Sequence, residues 1–200
     1  MPHFTDLTGL ASVASAMTAS LLLFPRIARL PKQQLAKWLG GSFVLVLIPL
    51  GGLPLAGYVR GATGDLSITT QVLLWSALLA PWLANVRIEA GARRSLLMLV
   101  AAAALFLYPL ALGLVMFDPY RIGYGDPLFV TALMLLALLA WFYKRQLITL
   151  SIALATLAWS LGWHESDNLW DYLLDPFLAI YAFSAIALHT VKQQIKRLRQ

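Results

Sequence analysis

The chain has 200 residues, 60% of them hydrophobic and 12% charged, with a formal net charge of +6 and no cysteine. A soluble domain carries about 25% charged residues, so this composition leaves no room for a separate soluble domain and predicts one integral membrane domain over residues 1–200. Without cysteine there are no disulfides, thiolate metal sites or cysteine nucleophiles, and the clustering of basic residues between apolar runs fits membrane anchoring rather than nucleic acid.

About 20 apolar residues cross a hydrocarbon core. Seven such runs are read at roughly 5–25, 38–58, 68–86, 95–116, 127–143, 147–163 and 172–191. The expected fold is therefore all-α, a polytopic transmembrane helix bundle of six or seven spans, with seven preferred.

The first run follows Met1-Pro2-His3-Phe4-Thr5-Asp6 and lacks the positive n-region of a signal peptide, so it reads as a retained helix. Its small residues form two adjacent stripes: Ala11, Ser15 and Ala19, and Ser12, Ala16 and Ser20. Such stripes let helix backbones approach closely, either within this bundle or against another membrane protein. The second run contains Pro49, Gly51, Gly52 and Pro54. These residues interrupt a backbone ladder, as a plain kink or as the broken helix that transporters use to present backbone groups to a solute.

The loops set the expected orientation. Arg26, Arg29, Lys32 and Lys37 follow the first span, and Arg87, Arg93 and Arg94 follow the third. Lys144 and Arg145 follow the fifth, and Lys192, Lys196, Arg197 and Arg199 follow the seventh. Only Arg60 and Arg121 fall on the other side. The positive-inside rule puts the basic side, with the C-terminus, in the cytoplasm and the N-terminus outside. Asp6, Asp65, Asp118, Asp126, Glu165, Asp167, Asp171 and Asp175 then collect on the outer side, and only Glu89 is cytoplasmic. Trp38, Trp82, Trp141 and Tyr143 fall near inner helix ends, and Tyr58, Trp163, Trp170 and Tyr172 near outer ones, as aromatic belts do.

Asp118-Pro119, Asp126-Pro127 and Asp175-Pro176 each suit a helix start, because Asp accepts from the free N–H groups of the first turn and Pro fits the first helical position. Only 17 residues separate Asp175 from Lys192, or about 25 Å of helix, less than the hydrocarbon thickness of about 30 Å. That places Asp175, and by the same measure Asp126, below the outer headgroups, where ionisable groups are functional candidates.

Gly123-Tyr124-Gly125-Asp126 resembles two signatures. One is the end of a potassium-channel selectivity filter, although Arg121-Ile122 stands where Thr-Val is expected. The other is the Gly-x-Gly-Asp signature of intramembrane aspartyl proteases, including prepilin peptidases. That resemblance implies Asp126 as one of two catalytic aspartates, with Asp171 or Asp175 as partner. Pro127-Leu128 departs from the family pattern, and the family works on the cytoplasmic side while Asp126 reads as outer.

In the stretch 164–175, a continuous helix would line up Asp167, Asp171 and Asp175 on one face. Such a ridge suits a bound cation, a basic partner or shared protons. His164 and Glu165 stand beside it. Retinal would need a lysine in the last span, and haem would need facing histidines, whereas only His3, His164 and His189 exist. No phosphate loop, serine triad or zinc-binding histidine pair is present, so no cofactor and no dedicated metal site are expected.

Three functional classes follow. The first is a non-enzymatic subunit or scaffold of a membrane complex. The second is a small transporter or channel-like protein for a cation, proton or amine-bearing solute. The third is a membrane-embedded enzyme acting on a lipid or peptide at the outer leaflet, with Asp126, Asp175, His164, Glu165 and Arg121 as its candidate groups and no catalytic role assigned among them. The candidate functional residues are Asp118, Arg121, Asp126, His164, Glu165, Asp167, Asp171 and Asp175. The expected surroundings are a lipid bilayer, in the style of a bacterial inner membrane, with another membrane protein as the possible partner and no nucleic acid.

Overall fold

The computed structural model describes residues 4–113 and 116–198; His3 and Arg199 lie outside them. The described chain is mostly helical and all-α in character. Helix α1 runs Phe4–Ser20 and continues as a tight turn over Leu21–Leu23. A short α2, Pro25–Ala28, leads to α3, Lys32–Leu47.

Beyond Leu47 the second apolar run breaks into a hairpin. β1, Pro49–Leu50, pairs antiparallel with β2, Leu53–Pro54. Gly51 and Gly52 form the turn with φ of 72° and 113°. Both angles lie where only glycine sits without strain, and two positive φ values close a two-residue hairpin. Helix α4, Leu55–Thr63, then resumes against α1. Ala56 of α4 packs with Val13 and Ala14, and Phe43, Val46 and Leu47 of α3 join the same cluster. The break thus lies level with residue 13 of α1, about 13 Å below its first residue.

Helix α5, Ile68–Leu79, starts on a Ser67 cap and is shorter than the run 68–86, because Pro81 follows it. Helix α6 runs Ala90–Ala111 and takes in Arg93 and Arg94, earlier than the expected start at 95. Helices α7, Pro127–Phe142, and α8, Gln146–Ser160, form a hairpin closed by Lys144 at φ 56°. A short α9, Leu169–Leu173, precedes α10, Pro176–Leu198.

The main core lies between α6 and α10, where Leu96, Leu97, Val100, Ala104 and Leu107 meet Leu178, Ala179 and Ala182. Small clusters join α8 to α9 and the lower part of α3 to α5. Outward faces are apolar: Leu105, Leu135, Leu139, Ile180 and Leu188 are exposed. Two helical stretches, Phe4–Leu23 and Ala84–Ala111, are long and apolar enough to cross a membrane.

The stripes on α1 are used inside the chain. Ser12 and Ser15 are buried, and Gln71 of α5 bonds both: its Nε2 donates to Ser12 Oγ at 2.9 Å, and its Oε1 accepts from Ser15 Oγ at 2.8 Å.

Candidate functional site

One end of the bundle gathers the starts of α1, α5 and α10, the ends of α4 and α6, and the loops before α7 and α9. Arg60, on the last turn of α4, is its centre of charge. Its Nε donates to Asp65 at 2.6 Å, and its Nη atoms reach Glu165 at 2.7 Å and Asp6 at 3.3 Å. The hydrogen bond that Arg60 donates to Asp65 raises the Arg60 pKa still further. Gly9 makes room for this group, since a methyl at Gly9 would overlap the guanidinium and the Asp65 carboxylate.

Asp175 is buried and saturated. Oδ1 accepts from the Leu178 N–H at 2.8 Å, which caps α10. Oδ2 accepts from the Ser67 N–H at 3.0 Å, the Ser67 hydroxyl at 2.7 Å and the Thr70 hydroxyl. Asp171 accepts from the Tyr120 hydroxyl at 2.8 Å and from the Ser166 hydroxyl. Burial, then that bond to Asp171, raises the Tyr120 pKa, so the phenol stays a donor.

His164 differs from every other polar group at this end. It is 4% exposed, and neither ring nitrogen has a hydrogen-bond partner. Its ring stacks on Tyr172, with centroids 4.5 Å apart and planes at 14°. Burial lowers its pKa against the opposing pull of Asp65, Asp171 and Asp175, so the imidazole is neutral at pH 7. A buried polar atom without a partner costs about 1–3 kcal/mol, and this ring carries two.

His164 lines a cavity of about 530 Å³ together with Asp65, Tyr108, Tyr120, Glu165, Asp171 and Asp175. Four carboxylates face that space, and the nearby guanidinium of Arg60 engages only Asp65 and Glu165 of them. The arrangement can neutralise a cation, stack it against phenol rings and offer it an imidazole nitrogen. No family model, curated protein or solved structure matches this chain.

The eight residues singled out from the sequence divide. His164, Glu165, Asp171 and Asp175 meet at the cavity. Asp118 instead caps the turn 119–123 through the Tyr120 N–H, at 2.9 Å. Asp126 caps α7 through the N–H groups of Leu128 and Phe129, at 2.8 and 3.1 Å. Arg121 is exposed and forms no ion pair among the described residues. Asp167 is exposed, and its carbonyl accepts from the Trp159 indole at 2.8 Å.

The aspartate ridge is corrected. Asn168 caps α9 and Leu174 is extended, so the helix covers only Leu169–Leu173. Asp167, Asp171 and Asp175 therefore do not share a helical face. Among the described residues, no group of three or more histidine and acidic side chains is placed to hold a metal ion.

Gly123-Tyr124-Gly125-Asp126 also has a structural account. Asn168 lies against Gly123 where a side chain would be, Gly125 has φ 86°, and Asp126 is a cap.

Sequence reasoning missed Arg60, Asp65, Ser67, Thr70, Tyr108 and Tyr120 as site residues. Arg60 carried a signal, as a basic residue among loops otherwise rich in acids. Ser67 carried another, the hydroxyl at a helix start that accepts from the Thr70 N–H.

Proposed function

We propose that this chain is a polytopic membrane protein of seven spans, N-terminus outside and C-terminus cytoplasmic, that binds a small cationic, amine-bearing solute in the acidic cavity at its outer end. The observation that carries the binding reading is the buried His164 ring, without hydrogen bonds, in a wall that also carries four carboxylates and two phenols. An ammonium group has donors for Asp171 and for a neutral imidazole nitrogen, and aromatic faces attract a cation. The span count rests on the charge alternation along the chain, on the apolar outward faces and on the gathering of the acidic loops at one end.

The interrupted second run supports a transporter-like role. Its hairpin breaks the helix well below the outer end, as in proteins that expose backbone groups to a solute. The test is calorimetric titration of the purified protein with ethylamine and, as the uncharged match, ethanol. Ethylamine binds and ethanol does not, and Asp171→Asn weakens the amine about tenfold, or about 1.4 kcal/mol. Equal behaviour of amine and alcohol overturns the reading.

A second reading, as subunit or scaffold of a membrane complex, is favoured by α7. Ala140 is its one buried residue, while Leu128, Met134, Leu138, Trp141 and Phe142 are exposed. A stoichiometric membrane partner, retained in mild detergent and lost when Leu138 is replaced by lysine, would support it.

A further inference from the structure

Resting on the cation-binding reading, we propose that the amine is the head of a lipid whose hydrocarbon chain lies in a second, apolar cavity on the other side of His164. This cavity, of about 480 Å³, is lined by α1, α5 and α8 and ends on Trp163 and His164. His164 is thus a wall of both spaces, the acidic one and the apolar one.

The apolar cavity has the direction an acyl chain needs. Leu7, Ile68, Leu161 and His164 line it at the acidic end of the bundle. Trp75 lies seven residues further along α5, and Leu154 seven residues before Leu161 on α8. Both measures put the far end of the groove about 10 Å deeper, along the helices and within the outer half of a bilayer of about 30 Å. Leu7, Trp75, Leu157 and Leu161 are also exposed on its outer side, so the groove opens toward hydrocarbon. A chain entering from the outer leaflet runs down this groove, while an ammonium head at its top meets the Asp171 carboxylate beside the His164 ring. A short amine fills only the acidic space. The apolar groove beside it adds burial of methylenes that a short amine does not have.

The experiment uses the full chain in nanodiscs doped with a lysophosphatidylethanolamine carrying a diazirine in mid-chain. After irradiation, crosslinks are mapped by mass spectrometry, and unlabelled lysophosphatidylethanolamine and lysophosphatidylglycerol of equal chain length compete. Crosslinks concentrate on Trp75, Leu154 and Leu157, and the amine lipid competes at about a tenth of the concentration of the glycerol lipid, a difference of about 1.4 kcal/mol. Ala11→Phe, which fills the groove beside Ser12, removes most of the crosslinking and leaves ethylamine titration unchanged. Leu157→Trp, at an exposed lining position, does the same where Ala11→Phe fails to fold. Crosslinks spread evenly over the outer-leaflet surface, or equal competition by the two lipids, overturn the lipid inference. If ethylamine still binds in that case, the small-solute reading stands; if it does not, both fall.

Discussion

The carboxylate of Asp175 joins two helix starts: one oxygen caps α10 through the Leu178 N–H, and the other holds the backbone and hydroxyl of Ser67, the cap of α5. Asp175 is therefore a fastener as well as a wall of the cavity. A buried charge with its bonds complete is stabilising, and removing part of its capacity leaves donors facing an amide. Asp175→Asn is expected to cost about 2 kcal/mol of stability, read as a lower midpoint in detergent thermal unfolding. An unchanged midpoint would assign Asp175 to the ligand instead.

Gly9 is expected to be intolerant of a single methyl. Gly9→Ala forces the Arg60 guanidinium off Asp65, at a cost of about 1–3 kcal/mol for overpacking. The check is a double-mutant cycle with Arg60→Ala. In the Arg60→Ala background the guanidinium clash is gone and the Asp65 carboxylate, released from its ion pair, can turn aside, so the same methyl costs less there. Equal costs in both backgrounds would contradict the packing account.

The pH dependence follows from His164. Its folded pKa lies below the ordinary value of 6.5 because burial disfavours the charged ring. The unfolded chain therefore binds the proton first. The stabilising preference for the neutral ring is fully present above about pH 6.5 and is lost as the pH falls below it. Unfolding midpoints of the native protein and of His164→Phe, measured between neutral and acid pH, should diverge in that window. Asp65, Asp171, Asp175 and Arg60 surround this position in both proteins, so the difference isolates the imidazole. Parallel curves would show that protonation of this ring does not matter to stability.

Lys144 closes the turn between α7 and α8 with a positive φ of 56°. A left-handed conformation costs a side-chain-bearing residue about 1–2 kcal/mol. Lys144→Gly should therefore stabilise the fold by up to about 1 kcal/mol, measured as a higher unfolding midpoint; a lower midpoint would mean that the ammonium anchors this end of the bundle.

The helical runs, the break at Pro49–Pro54 and the gathering of acidic residues were legible in the sequence, because hydropathy period, proline and glycine chemistry and loop charge are local properties. So were the caps at Asp118 and Asp126, where the Asp-Pro pair and its helix start are adjacent in the chain. The sequence by itself determined which segments are apolar enough to be helices in or against a membrane and which loops carry which charge. Only the tertiary structure decided that Asp171 and Asp175 face different partners rather than one ridge. It alone decided that the break in the second run is a hairpin, that Ser12 and Ser15 close on Gln71, and that His164 is left without a partner between an acidic and an apolar space. The two glycines close that hairpin locally, whereas the aspartate and Gln71 contacts join residues 51 to 108 positions apart, Tyr120 with Asp171 and Asp175 with Ser67 among them. Burial and hydrogen-bond satisfaction are properties of such contacts, and no local pattern in a chain encodes them.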